Sequence, residues 1–446
     1  MGNTIIIPEI RELLNKNEIE PIRNFCTDIH PAEVSELLSG LSVRELQRIF
    51  AILDPRKASE IFKFFPVERQ VSTITEGDRK EIAKIIEEMN PDDRADLIKE
   101  LTEDVVEVLL PLVAHAERED IRRLVTYKEG TAGSVMTTDY ASVEAELTCA
   151  EALLKLKRVA PASETIYYIY ITNGNRQLIG FLSLKDLILS RSYARISEIM
   201  HKDVVSVNLD DDVEKVADMI AKYDFLAIPV IDRDNRLVGI VTVDDVVDVM
   251  REEATEDIYH MGAAGSPLDY KTTSIFNLAR QRMVWLLVLV AAGFISGMIM
   301  EQFANVLHSA VALTFFIPLL CDSGGNAGCQ TSTVIIRGMA TGELGITDIW
   351  SIIKKELAIG VLVGLVLGIL AAARALLLNQ DPILGLIVGL AMLVTIIAAK
   401  TAGAVLPILF KRIGLDPALM SGPLITSLID IFSILLYLKL AWWFLI

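Results

Sequence analysis

Two hydrophobic patterns divide the chain near residue 280. After that point apolar residues run almost unbroken. Five stretches, 283–300, 306–320, 357–378, 383–409 and 419–445, approach the roughly 20 residues that a helix needs to cross a bilayer. The stretch 357–373 is apolar all round and rich in glycine, as membrane helices are. Before residue 280, apolar positions recur at three- and four-residue spacing, which predicts amphipathic helices. Short β-branched runs appear between 131 and 250. The expected fold class is a multidomain membrane protein. An all-α superhelical N domain covers 1–130 and an α/β tandem pair covers 131–250, divided at about 195. A connecting helix follows over 251–280, and a five-helix α-helical transmembrane domain over 281–446.

The tandem pair is an internal repeat. "GSVMTTDYASVEAELTCAEALLKL" is echoed by "SEIMHKDVVSVNLDDDVEKVADMI", and "RQLIGFLSLKDLIL" by "NRLVGIVTVDDVVDV". Met136 aligns with Met200, Gly180 with Gly239 and Asp186 with Asp245. Each copy predicts a strand, an amphipathic helix, two short strands around a turn, and a helix. The pattern resembles a pair of CBS domains, regulatory modules that often bind adenosine nucleotides or metal between the copies. A fainter repeat precedes it: "HPAEVSEL", "DPRKASEI" and "NPDDRADL". Each has a polar residue before a proline, which predicts a capped helix start with proline in its first turn.

Charge sharpens the division. The net charge is −17. Nine Lys/Arg and eight Asp/Glu lie beyond residue 280, a net of +1, which leaves −18 on the first 280 residues. An acidic soluble half argues against nucleic acid, whose phosphates need a basic face; it suits cations. Four scattered cysteines without a CxxC pair, and five histidines, disfavour a zinc site. No basic stretch and apolar run open the sequence, so no signal peptide is expected. Arg280, Arg282, Arg337, Lys354, Lys355, Lys411 and Arg412 flank one set of span ends, while the loops 301–305 and 379–382 have none. This bias places the N-terminus in the cytoplasm and the C-terminus outside.

The chemistry concentrates where polar residues interrupt the apolar half. Asp430 lies inside the last span, where a lone charge is costly unless it faces water or a partner. Thr426 and Ser427 stand four and three residues before it. These are hard oxygen donors, which suit Mg²⁺, Ca²⁺ or Mn²⁺. The alternative is a structural ion pair with Lys400 of the fourth span. In "PLLCDSGGNAGCQTSTVIIRGMATGEL" the glycines at 324, 325 and 328 around Asn326 predict a break in the helix at membrane depth. Four acids, Glu252, Glu253, Glu256 and Asp257, crowd the connecting segment. They would repel one another unless a cation neutralises them. The residues from Ile275 to Arg282 read as an amphipathic helix on the membrane surface.

The same stretch, with "GLDPALMSGPLITSLIDIFSILLY", the CBS-like pair and the acidic helical domain, resembles the MgtE family of magnesium channels and transporters over essentially the whole chain. The resemblance implies a homodimer in the lipid bilayer of the plasma membrane, with an ion path on its two-fold axis. It places Asp430 as the path's carboxylate, Thr426, Gly422 and Asn326 along the path, and Asp416 at its cytoplasmic entrance. It implies that cytosolic Mg²⁺ shuts the path by filling acidic interfaces. Their residues would be Glu60, Asp92 and Asp96 in the helical domain, Asp212, Glu214, Asp224, Asp245 and Asp248 in the CBS pair, and Glu253, Glu256 and Asp257 in the connecting "plug" helix. ATP would meet Ser183 with Asp186, or Thr242 with Asp245. The sequence departs from the family at Lys400, Gly422 and Ser433. A lysine facing the path would repel cations. The expected activity is passive Mg²⁺ import with no enzymatic step. The rival readings are another divalent cation (Mn²⁺, Co²⁺), efflux, or a non-conducting nucleotide or metal sensor.

Overall fold

The structure, a computed structural model, describes residues 3–268, 270, 273–379, 381–420 and 422–445. The expected connecting segment and the last span therefore each include positions outside the described residues. The chain divides into two compact units, Met1–Met250 and Arg251–Ile446.

The first unit begins with ten helices: α1 (Asn3–Lys16), α2 (Ile19–Asp28), α3 (Pro31–Leu38), α4 (Val43–Phe50), α5 (Pro55–Phe62), α6 (Val67–Glu76), α7 (Arg79–Glu87), α8 (Pro91–Lys99), α9 (Glu103–Leu109) and α10 (His115–Val125). The three repeat prolines stand at the starts of α3, α5 and α8. His30 and Asp54 accept from the backbone N–H groups of Ala32 and Arg56, whereas Asn90 makes no cap bond. The repeat also fixes how the helix pairs stack. Ser35 and Ser59 occupy equivalent positions, and each buried hydroxyl donates to a carbonyl 29 residues later, Phe64 and Glu88. The apolar stripes of these helices meet in one core that includes Ile22, Leu38, Ile49, Ile61, Phe62 and Ile86.

The tandem pair follows: β1 (Tyr140–Glu144), α11 (Cys149–Val159), β2 (Thr165–Thr172), β3 (Leu178–Ser183) and α12 (Leu184–Leu189), then α13 (Ile196–Ile199), β4 (Val207–Asn208), α14 (Val213–Tyr223), β5 (Ala227–Ile231), β6 (Leu237–Thr242) and α15 (Val243–Met261). Each copy has a three-stranded sheet, the first two strands parallel and the last two antiparallel. The repeated Met and Gly positions lock the copies together reciprocally. A Cβ on Gly180 would lie 2.9 Å from the Met200 sulfur, and one on Gly239 would lie 2.7 Å from the Met136 sulfur. Each copy's methionine thus seats on the other copy's glycine, where no larger residue fits.

The second unit holds the end of α15 and the long helices. These are α16 (Ile275–Gln302), α18 (Ile317–Ala340), α19 (Ile349–Asn379), α20 (Pro382–Arg412) and α21 (Gly422–Leu445), with the short α17 (Ala304–Ser309) before a 3-10 turn, Val311–Phe316. Among the described residues four helices, α16, α19, α20 and α21, are long and apolar enough to cross a membrane. At 24 residues α18 is about 36 Å long, also sufficient, but it carries Asp322, Ser323, Asn326 and Gln330.

Three expectations need correction. The stretch 306–320 is not a span. It is broken by the 3-10 turn, and the long helix α18 begins only at Ile317, with Pro318 in its first turn. The glycine-rich stretch is not a break: α18 stays helical through it. Its glycines serve close packing, which leaves the backbone hydrogen-bonded within the helix. A Cβ on Gly324, Gly325 or Gly328 would meet Thr395 and Ile429, Thr426, or Ile425 at 2.6–2.8 Å. Finally, the residues from Ile275 to Arg282 form no separate surface helix. Ser274 accepts from the Asn277 N–H and starts α16 there.

Candidate ion path and acidic interface

Local sequence places the carboxylate of the apolar half. Gly422 and Pro423 open α21, and Asp430 follows two turns in. α18 and α21 pack antiparallel through the glycines: Gly328 faces Ile425, Gly325 faces Thr426, and Gly324 faces Ile429 and Ser433. One turn further in each direction brings Cys321 opposite Asp430. The Cys321 thiol and Asp322 are accordingly the polar neighbours of that carboxylate. Its Oδ1 is shut away from solvent and has no hydrogen-bond partner among the described residues. Asn326, an exposed residue one turn along α18, donates to Asp322 at 3.2 Å. Thr426 packs its γ carbon against Gly325. Ser427 donates to the Pro423 carbonyl at 3.0 Å, so that first-turn carbonyl is engaged by a side chain.

Lys400 is not the partner of Asp430. It is buried, 7% exposed, and its ammonium donates to the Thr331 hydroxyl at 3.2 Å; that hydroxyl donates to Glu356 at 3.0 Å. Thr331 lies ten residues along α18 from Cys321, about 15 Å. The lysine is therefore linked through a hydroxyl to a carboxylate of α19, at a different depth.

At the start of α21 Asp416 accepts from the Ala418 N–H at 2.8 Å, which caps the short turn Pro417–Met420. Its other oxygen lies 2.6 Å from His260 Nδ1 near the end of α15. Glu256, one turn back, is 3.7 Å from the same imidazole. Burial, with Asp416 next, raises the Asp257 carboxyl above its ordinary range, opposed by His260 and Arg337. A Cβ on Gly422 would lie 2.8 Å from the Met261 carbonyl, so no larger residue fits there. His260 was not singled out from the sequence, although the i, i+4 spacing of Glu256 and His260 was legible.

The second acidic assembly lies within the first unit. Asp92, near the start of α8, is only 7% exposed, and its Oδ1 has no hydrogen-bond partner among the described residues. Burial, then the charges of Asp245, Asp93 and Glu164, hold its carboxyl well above the usual carboxylate range. Burial also pushes Asp245 up to about 6, against a 2.5 Å bond from the Thr242 hydroxyl. Glu164 is pushed up to about 7 by burial, with Lys63 opposing. Lys63 pairs with Asp93 at 3.3 Å. Glu60 lines a cleft of about 530 Å³ with Lys63, Arg94, Glu117, Asp139 and Glu164. Asp96 sits one turn beyond Asp92 and pairs with Lys99 at 2.7 Å. Asp93 and Glu164 belong to this assembly and were not among the sequence-derived candidates.

The remaining candidates stand elsewhere along the chain. Asp212 caps α14 by accepting from the Glu214 N–H, while Asp224 ends the same helix with φ +54°. Asp248 lies on α15, and Glu253, Glu256 and Asp257 lie on its later turns in the second unit. No group of three or more Asp, Glu, His or Cys among the described residues is arranged to hold a bare metal ion.

The CBS pair holds a small apolar pocket of about 20 Å³. Tyr168, Tyr170, Phe181, Phe225, Ala227 and Pro229 line it between the copies. Beside it Ser183 donates to Asp186 at 2.7 Å, and His201 lies 3.6 Å from the same carboxylate.

Comparison with known proteins decides the family. The magnesium transporter MgtE of Thermus thermophilus is 36% identical over 436 residues, covering 97% of each chain. The chain belongs to the MgtE family. The magnesium transporter MgtE of Bacillus subtilis is 32% identical over 98% of this chain and 96% of its own length. Family profiles match in order: the MgtE intracellular N domain at 29–130, CBS domains at 132–192 and 196–252, and a divalent cation transporter at 317–440. The crystal structure of the soluble part of a magnesium transporter has a TM-score of 0.54 at 32% identity, covering 57% of this chain and all of that one. The cytosolic domain of the Mg²⁺ channel MgtE in complex with ATP has a TM-score of 0.51 at 36% identity, covering 54% of this chain and 98% of that one. MgtE members are multi-pass membrane transporters rather than enzymes, and the apolar helices here agree.

Proposed function

We propose that this MgtE chain carries Mg²⁺ passively into the cytoplasm along a path whose ion site is Asp430. The observation that supports it most directly is the Asp430 carboxylate between α18 and α21, whose Oδ1 is shut away from solvent without a hydrogen-bond partner among the described residues, beside the Cys321 thiol. A carboxylate in the membrane interior is costly without compensation. A hydrated divalent cation supplies it. The site is completed by a second copy of the chain, so that two carboxylates flank one ion; Asn326, Thr426 and Gly422 border the route, and Asp416 guards its cytoplasmic mouth. The N-terminal half lies in the cytoplasm of a plasma-membrane protein and the C-terminus outside, as the clustered Lys and Arg near the span ends favour.

Cytosolic Mg²⁺ acts as the closing signal. In the first unit Asp92, Asp93, Asp245 and Glu164 carry charge that burial opposes and that Lys63 only partly offsets. Mg²⁺ relieves that repulsion and holds the N domain to the CBS pair, so ion binding biases one of two arrangements. Glu60 and Asp96 enlarge this negative surface. Asp212, Glu214, Asp224, Asp248, Glu253, Glu256 and Asp257 form further weak sites of the same kind.

ATP occupies the CBS cleft. Its adenine would lie among the aromatic side chains, and its ribose hydroxyls would meet Ser183 and Asp186. The pseudo-equivalent pair Thr242 and Asp245 is turned toward Asp92 and serves metal instead. The ATP complex of the homologous cytosolic domain supports this reading.

The deciding experiment is Mg²⁺ flux into proteoliposomes by the wild type, Asp430→Ala and Asp92→Ala, with Mn²⁺ and Co²⁺ as competitors. Loss of flux in Asp430→Ala, and flux in Asp92→Ala that persists at higher internal Mg²⁺, are the expected results. Full flux in Asp430→Ala would sink the proposal.

A further inference from the structure

We propose that His260 is a metal-independent latch on the path: its imidazole occupies the Asp416 carboxylate and must leave before a cation can use it. Both oxygens of Asp416 are engaged. One accepts from the Ala418 N–H at 2.8 Å, and the other lies 2.6 Å from His260 Nδ1. A neutral imidazole with its proton on Nδ1 already donates to a carboxylate, so the bond needs neither a metal nor an added charge. The His260 side chain is only 15% exposed. The bond joins the last turn of α15 to the turn that precedes α21, across 156 residues. A hydrated Mg²⁺ held by Asp416 would need the same oxygen, so imidazole and ion exclude each other there.

The surrounding chain seats α15 for this contact. Ala263 at φ +50° ends the helix, where the Gly262 and Ala264 N–H groups donate to the Ile258 and Tyr259 carbonyls at 3.0 and 2.9 Å. Beyond it, Gly265 packs so tightly on the Gln281 side chain of α16 that a Cβ would clash. The Gln281 amide donates to the Ser266 carbonyl at 2.5 Å. On the other side the Met261 carbonyl abuts Gly422 of α21. The end of α15 is thus fastened to two membrane helices by protein contacts alone. Glu256, one turn back on the same helix, lies 3.7 Å from the imidazole. The effect on transport rests on the reading of Asp416 as the mouth of the path; the contact itself does not. It adds to closure by Mg²⁺: with cytosolic Mg²⁺ removed, a population shut by His260 remains.

Two measurements on the full chain, both with Mg²⁺ chelated on the cytoplasmic side, separate these levels. The first is amide hydrogen exchange in the last turns of α15, read by mass spectrometry in detergent. Losing a hydrogen bond to a charged group shifts an opening equilibrium by about tenfold or more, so His260→Ala should exchange faster by at least that factor. His260→Asn, whose amide can donate from the position of Nδ1, should recover most of the protection. Asp416→Ala should speed exchange as His260→Ala does, and the double variant should add little, because one contact is lost in each case. The second is Mg²⁺ uptake into proteoliposomes. His260→Ala should take up Mg²⁺ faster than the wild type, and His260→Asn should restore most of the slow rate. Unchanged exchange in His260→Ala overturns the proposal, as does faster exchange with uptake no higher than wild type. If exchange and uptake both follow His260 while Asp430→Ala still carries Mg²⁺, the latch stands and the ion-site reading falls. If Asp430→Ala stops Mg²⁺ and neither exchange nor uptake responds to His260, the reverse holds.

Discussion

The ammonium of Lys400 on α20 lies 3.2 Å from the hydroxyl of Thr331 on α18, and through it reaches Glu356 on α19. Three helices are tied by one charged relay in the interior of the second unit. The Lys400 ammonium is buried and is linked through the Thr331 hydroxyl to the partly buried Glu356; a hydrogen bond to a charged group contributes about 1.5–3 kcal/mol. Lys400→Met should therefore lower the thermal midpoint in detergent sharply. Adding Glu356→Gln should recover most of the loss. Recovery through Asp430→Asn instead would mean that the lysine answers the other carboxylate.

The buried acids of the first unit make its stability fall with rising pH. Asp92, Asp245 and Glu164 have folded-state pKa values raised above those of the unfolded chain. The folded state then binds more protons above about pH 4, so stability decreases as pH rises through about 6 and about 7, the folded values of Asp245 and Glu164, with Asp92 acting in the same direction. For Asp245 alone the change is on the order of 3 kcal/mol. The soluble part of a related transporter crystallises as such, which makes residues 1–250 the sample of choice. Circular dichroism should show a lower melting temperature at pH 7.5 than at pH 5.5 without Mg²⁺, and Mg²⁺ should raise the higher-pH value. A melting temperature that rises with pH would contradict the burial of these carboxyls.

Gly325 fixes the separation of α18 and α21. A Cβ there would sit 2.7 Å from Thr426. Gly325→Val should cost about 1–3 kcal/mol through overpacking. Because the helices must part where Cys321 and Asp430 face each other, Mg²⁺ flux should fall further than the loss of folded protein explains. A folded Gly325→Val with normal flux would show that this spacing is not needed.

The two copies of the CBS pair should differ in nucleotide binding. Asp186 stands at the aromatic pocket, while Asp245 is bonded to Thr242 and faces the N-domain acids. Asp186→Ala should weaken ATP binding at least about tenfold, the loss of a charge-assisted hydrogen bond. Thr242→Ala should weaken it much less. Isothermal titration calorimetry decides this, and equal losses would mean that both copies hold nucleotide.

Sequence patterns that depend on near neighbours were legible. The proline-led helix starts of the N domain, the strand order within each CBS copy and the long apolar helices all follow from spacing over one or two turns. Asp430 stood out because a carboxylate in an apolar run has few inexpensive explanations. The glycine-rich stretch misled, because glycine marks both a break and a close helix contact, and the sequence does not show what stands opposite. Once Thr395, Ile425, Thr426 and Ile429 are seen across from α18, close contact is the evident reading.

Local chemistry along the chain thus determined the family, the acidic and apolar halves and the ionisable residue of the membrane region. Partnership over long separations was decided only by the fold. Lys400 takes Thr331 and Glu356 rather than Asp430, His260 takes Asp416 across 156 residues, and Asp92 is buried beside Asp245. The physical reason is that charge and hydrogen bonding act over a few ångströms in space. Sequence spacing measures that distance within one helix or hairpin and says little about it between elements.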